Sequence, residues 1–140
     1  EKDMRITKQE VKEEYKNLEG DPQVKGKRRQ IQRQMAMSRM MDSVPDSDVI
    51  IRNPTHFAVA IKYDKDKNNA PVVLAKGADN LAMKIVGIAE EHDIAMVENK
   101  PLARGLYDSV DVGREIPPEF YRAVAEVLSF VYKLQGKLPE

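Results

Sequence analysis

The chain changes texture at Asp48, and that change constrains its fold more than any other feature. Before it, residues 22–41 carry Lys25, Lys27, Arg28, Arg29, Arg33 and Arg39 with no acid among them. Apolar positions there are sparse: Ile31, Met35, and the cluster Met37, Met40 and Met41. Such a stretch makes a solvated helix that cannot hold a core by itself. After Asp48, apolar runs and alternation take over, which only a sheet can bury. The expected organisation is therefore a basic linker-helix region over residues 1–47 and a globular domain over 48–140. At 140 residues and 41% hydrophobic, the chain can fill one core and not two.

Within the first region, Thr7-Lys8-Gln9-Glu10 has the form of a capping box, and Val11, Tyr15 and Leu18 follow at helical spacing. Gly20, Asp21 and Pro22 should interrupt that short helix and act as a hinge before the basic one, which Ser43-Val44-Pro45-Asp46 ends. In the second region, Val49-Ile50-Ile51 reads as a buried strand bounded by Asn53-Pro54. From His56 to Tyr63 the chain alternates, with Phe57, Val59, Ile61 and Tyr63 on one face and Ala58, Ala60 and Lys62 on the other. Pro71 to Ala75 predicts a third strand closed by Gly77. Leu81, Ile85 and Ile88 predict a helix from an Asp79 cap to about Glu91. Ile94 to Val97 predicts a short fourth strand, and Pro101 to Asp108 a short helix. The wide apolar stripe after Pro117-Pro118, from Phe120 to Leu134, predicts a final, largely covered helix. The order is helix, three strands, helix, strand, helix, helix. The fold class is α/β in the α+β sense, a four-stranded mixed sheet packed by helices behind a long N-terminal helix.

Several functions are excluded or disfavoured. With no cysteine there is no disulfide scaffold, thiolate zinc site or Cys nucleophile. No apolar run approaches the ~20 residues of a membrane helix, and the charged start is not a signal peptide. The chain starts at Glu1, as a piece of a longer protein would. His92, among carboxylates near a helix end, reads as a surface residue and gives no metal spacing. Lys76-Gly77-Ala78-Asp79 is too short for a phosphate loop. No cofactor, no metal and no turnover chemistry are expected. A nucleic-acid-binding module using the basic helix on phosphates stays open as an alternative. Against it, the globular part lacks a basic stripe, so no nucleic-acid partner is expected.

Asn53-Pro54-Thr55-His56 stands between two strands. Asn-Pro is a common way to start a turn, and a passive adaptor with an ordinary turn is one reading. The other is chemical. Proline has no N–H, so attack of the following backbone nitrogen on the Asn side chain is closed. The reverse attack remains, in which the Asn53 amide nitrogen adds to its own carbonyl, closes a succinimide and expels Pro54. An amide is a poor nucleophile, so the turn must hold a near-attack geometry. Histidine changes charge near neutral pH, which makes His56 a candidate for moving the proton, with shaping the turn as its alternative role, and Thr55 is a candidate donor to the oxyanion.

Asn53-Pro54-Thr55-His56 followed by Phe57-Ala58-Val59-Ala60 resembles the self-cleavage motif of the FlhB/YscU family, the export-apparatus switch proteins of flagella and of type III secretion systems. Glu19-Gly20-Asp21-Pro22, Ala75-Lys76-Gly77 and Pro101-Leu102-Ala103-Arg104-Gly105-Leu106-Tyr107 match as well. The resemblance covers essentially the whole chain and is nearer the flagellar branch. It implies a mobile basic linker leading from a membrane-embedded domain, on the cytoplasmic side of the bacterial inner membrane. It implies single-turnover cleavage between Asn53 and Pro54, switching export from rod- and hook-type to filament-type substrates. The injectisome paralogue, switching needle to translocator export, is the alternative. Implied partners are the export gate and other apparatus proteins, the hook-length control (ruler) protein and the exported substrates, with one copy per apparatus. Pro101, Leu102, Arg104 and Tyr107 form a possible partner-contact segment, although packing explains them as well.

Overall fold

The computed structural model describes residues 21–54 and 56–136, which fall in two compact units, 1–38 and 39–140. In the first unit, the Asp21 carboxylate accepts the Gln23 N–H at 2.9 Å and the Asp21 carbonyl accepts the Lys25 N–H at 3.0 Å. Pro22, whose missing N–H costs nothing at a first helical position, then opens helix α1 (Pro22–Ser43). Asp21-Pro22 is thus a helix start. Gly20 and the helix expected over residues 7–18 lie outside the described residues. Helix α1 buries none of its residues, as its sparse apolar pattern requires.

Residues 39–47, expected in the linker, belong to the second unit. Met40 and Met41 pack against its core, and Val44 in a 3₁₀ turn (Val44–Asp46) is fully buried. The four strands are β1 (Val49–Asn53), β2 (Phe57–Lys62), β3 (Val72–Ala78) and β4 (Ala95–Glu98), in spatial order β3-β2-β1-β4. The β1–β2 and β2–β3 pairs are antiparallel and β1–β4 is parallel, so the sheet is mixed. The three helices of the unit are α2 (Asn80–Glu91), α3 (Lys100–Ser109) and α4 (Tyr121–Leu134).

The alternation along β2 sorts the core into two layers. Val49, Ile51, Val59, Ile61 and Val73 face α3 and α4, whose Leu102, Leu106, Val124, Leu128 and Val131 complete that layer. Ile50, Ala58, Ala60 and Ala75 face α2, which contributes Ala82, Ile85 and Ala89. Small side chains on both sides let α2 lie close to the sheet. Strand β3 runs through Gly77 to Ala78 instead of closing there, because Ala58 and Phe57 of β2 pair with them; a Cβ on Gly77 would meet Leu81 Cγ at 2.7 Å. Two further expectations are corrected. Asp79 precedes α2, but its side chain makes no capping hydrogen bond. Helix α4 is covered on one side only, since Tyr121, Phe130 and Leu134 are exposed; a helix laid on a sheet buries one stripe.

Candidate functional site

Asn53 and Phe57 are register partners at the end of the β1–β2 ladder, so the chain between them turns through one tight corner that includes Pro54 and His56. Three backbone hydrogen bonds fix that corner. The His56 N–H donates to the Asn53 carbonyl at 3.0 Å, closing the turn. The Asn99 N–H donates to the Arg52 carbonyl at 3.0 Å, tying the approach strand to the start of α3. The Asp79 N–H donates to the His56 carbonyl at 2.9 Å, tying the exit to the β3–α2 corner. Asn53 and Pro54 are half-buried while His56 is exposed. Beside the Asn53–Pro54 bond, Arg52, Phe57, Ala82, Met83, Val86 and Glu90 line a cavity of about 270 Å³. The bond therefore lies between an apolar wall and solvent.

Of the four motif residues, the structure places Asn53, Pro54 and His56 together, and Thr55 lies outside the described residues. The donor to the Asn53 carbonyl is the His56 backbone N–H, a role the side-chain pattern does not announce. It follows from turn geometry, in which residue i accepts from residue i+3. Asp79 was also missed. Its Oδ1 lies 3.9 Å from His56 Nδ1, although in sequence it signals only a helix start.

The segment from Pro101 to Tyr107 is mainly a packing element that backs this corner. Pro101 sits in the first turn of α3, where the Asn99 side chain caps the Leu102 N–H at 3.2 Å. Leu102 and Leu106 are buried. The Tyr107 ring stacks on Phe57 at 4.8 Å between centroids, and the Tyr107 carbonyl accepts the Lys76 ammonium at 2.8 Å. Ala75-Lys76-Gly77 and Pro101–Tyr107 therefore meet in space. A cation at the last carbonyls of α3 also suits the helix dipole. Arg104 faces solvent, 3.8 Å from Asp108 one turn on.

A larger cavity of about 320 Å³ lies elsewhere in the unit, among Tyr63, Pro71, Tyr121, Leu128 and Tyr132. It brings together no pair of groups suited to bond cleavage. Burial raises the Tyr132 phenol above its usual range, with the Asp48 carboxylate adding to the shift. Among the described residues, no cluster of three or more histidine and acidic side chains is arranged for a metal, and no helix is long and apolar enough to cross a membrane.

Comparisons with known proteins bear on the whole chain. The model of the "FlhB HrpN YscU SpaS Family" matches residues 1–131. "Flagellar biosynthetic protein FlhB" of Bacillus subtilis is 55% identical over 138 residues, 99% of this chain and 38% of that protein. Its namesake in Salmonella typhimurium is 49% identical over 96% of this chain and 35% of that protein. The chain thus spans little more than a third of these relatives. Among solved structures, the cytoplasmic domain of FlhB from Shewanella putrefaciens aligns with a TM-score of 0.70 and 44% identity, covering 75% of this chain and 87% of that one. A substituted EscU C-terminal domain aligns at 0.64 with 33% identity, covering 66% of this chain and 98% of that one.

Proposed function

The chain belongs to the FlhB HrpN YscU SpaS family, and from that premise we propose that it is the cytoplasmic part of a flagellar protein-export component that cuts itself between Asn53 and Pro54. The observation that carries the chemistry is the 3.0 Å hydrogen bond from the His56 N–H to the Asn53 carbonyl. That oxygen gains negative charge as the Asn53 amide nitrogen attacks, and a donor already in place strengthens as the charge grows. The attack forms the bond from the side-chain nitrogen to the Asn53 carbonyl carbon. The bond from that carbon to the Pro54 nitrogen then breaks, and the amide proton passes to the leaving nitrogen. The succinimide on residues 1–53 later takes up water, and residues 54–140 begin with a free proline. The event is intramolecular and happens once per chain, so the protein is not a turnover enzyme.

Breaking one peptide bond in so tight a corner frees both ends while the strands stay paired. Both pieces remain in one sheet, because Val49 to Ile51 keep their partners on β2 and β4. The freed corner changes the surface offered to export substrates and so switches export from rod- and hook-type to filament-type proteins. The export gate, other apparatus proteins and the hook-length control protein are the partners in this reading, at the cytoplasmic face of the inner membrane. High identity to flagellar relatives supports this branch over the injectisome one.

The test is an intact mass of the fully denatured chain. Two pieces, 1–53 and 54–140, that are missing from Asn53→Ala support the reading, and one uncut mass after long incubation at neutral pH rejects it.

A further inference from the structure

We propose that Asp79 is a positioning residue for self-cleavage, holding the scissile corner through His56; this rests on the cleavage reading above. Asp79 stands at φ 51°, ψ −117°, a conformation that disfavours any residue with a Cβ. An aspartate at a helix start normally accepts a capping hydrogen bond, yet this side chain makes none. Its backbone and its carboxylate are instead turned to one neighbour. The Asp79 N–H holds the His56 carbonyl at 2.9 Å, and Oδ1 lies 3.9 Å from His56 Nδ1. The same corner is made rigid from within, since Gly77 and Leu81 approach so closely that no Cβ fits between them. His56 is thus braced from two directions, by its N–H to Asn53 inside the turn and by its carbonyl and ring to Asp79 outside it.

Both side chains are well exposed, at 65% for His56 and 80% for Asp79, so the 3.9 Å approach itself adds little to stability. Its effect is on orientation. A carboxylate facing Nδ1 favours the ring form protonated there, which leaves Nε2 free to take a proton. The N–H of His56 that polarises the Asn53 carbonyl belongs to the same residue. Holding His56 therefore holds the donor as well.

The experiment follows cleavage of the newly synthesised 140-residue chain in parent, Asp79→Asn and Asp79→Gly. Glycine relaxes the strained backbone and keeps the fold while removing the carboxylate; asparagine tolerates a positive φ and keeps an acceptor oxygen. Asp79→Gly slows cleavage about tenfold, a fraction of the roughly 100- to 10,000-fold that positioned proton transfer supplies. Asp79→Asn stays within about threefold of the parent because it keeps an oxygen facing Nδ1. A second readout is independent of cleavage. In the uncuttable Asn53→Ala chain at alkaline pH, nitrogen NMR places the His56 ring proton on Nδ1, and adding Asp79→Gly moves it to Nε2. Parental cleavage by Asp79→Gly, or an unchanged ring proton, overturns this role while leaving self-cleavage intact. An uncut parent chain overturns both.

Discussion

At its Phe57 end, strand β2 meets β1 through a corner so short that Asn53 and Phe57 remain register partners. At its Lys62 end, it leaves for β3 through residues 63–71, a longer, mostly polar connector. There Asp64 accepts the backbone N–H groups of Asp66, Lys67 and Asn68, and Glu115 accepts that of Asn69. Both ends are hairpin connections that contain asparagine. In the long connector, hydrogen bonds to Asp64 and Glu115 hold the chain, and neither Asn68 nor Asn69 precedes a proline. The short corner joins two strands whose register runs to Asn53 and Phe57. The Asn53 carbonyl accepts a hydrogen bond from within the turn, and the corner is braced from α3 and from Asp79. In the proposed reading, the Asn53–Pro54 bond owes its cleavage to where it stands as well as to its two residues.

The largest effect comes from moving that bond. Asn69→Pro puts a proline directly after Asn68 in the long connector, and combined with Asn53→Ala it leaves a chain that cuts nowhere. Asn69→Pro alone cuts only after residue 53, as intact mass would read. Cleavage after residue 68 in either chain would mean that Asn-Pro chemistry suffices without the corner. The Asn69 substitution removes one exposed hydrogen bond to Glu115 and restricts Asn68, so it costs about 1 kcal/mol or more.

Next in size is damage to the brace. Gly77→Ala would place a Cβ 2.7 Å from Leu81 Cγ, in a strand and helix that cannot both stay put. Overpacking of this kind costs about 1–3 kcal/mol, measurable by urea unfolding. The displaced β3–α2 corner also carries the Asp79 N–H away from His56, so cleavage slows beyond what lost stability explains. Lys76→Met is milder. It removes the charge-assisted hydrogen bond to the Tyr107 carbonyl while keeping the apolar stem, at a cost of about 1–2 kcal/mol, with cleavage nearly unchanged.

The two ends of β2 also differ in how much of them is legible in sequence. Alternation from Phe57 to Tyr63 assigns faces correctly, because a period of two leaves no freedom once one side chain is buried. The sequence of strands and helices along the chain follows from the same periodicities, whereas the spatial order β3-β2-β1-β4 does not. The Asn53-Pro54 step is visible, since no other residue pair closes one route of attack and leaves the other open. What surrounds it is not visible. Asp79 looks like a helix cap until the backbone places it beside His56. Lys76 and Tyr107 are far apart in sequence and meet only through the fold. Helix α4 shows the opposite error, because a wide apolar stripe gives the length of the helix without saying how much of it the sheet covers.

The smallest predicted effect lies at the far end of β2 and should leave the corner untouched. The Tyr63 N–H donates to the Asp48 carboxylate at 2.7 Å, and Tyr132 shares this neighbourhood. Burial first, then the Asp48 charge, raise the Tyr132 phenol from its usual 10.0. In the folded chain the neutral phenol is favoured, so its contribution to stability is complete below pH 10.0 and is lost as pH climbs through the raised value. Parent and Tyr132→Phe should therefore lose stability at different rates above that pH, with the parent falling more steeply. Urea midpoints measured on the uncuttable Asn53→Ala background isolate this effect from cleavage. If Tyr132→Phe also changed the cleavage rate at neutral pH, the two ends of β2 would be coupled through the strand. The short corner would then depend on the whole hairpin and not only on its own turn and braces.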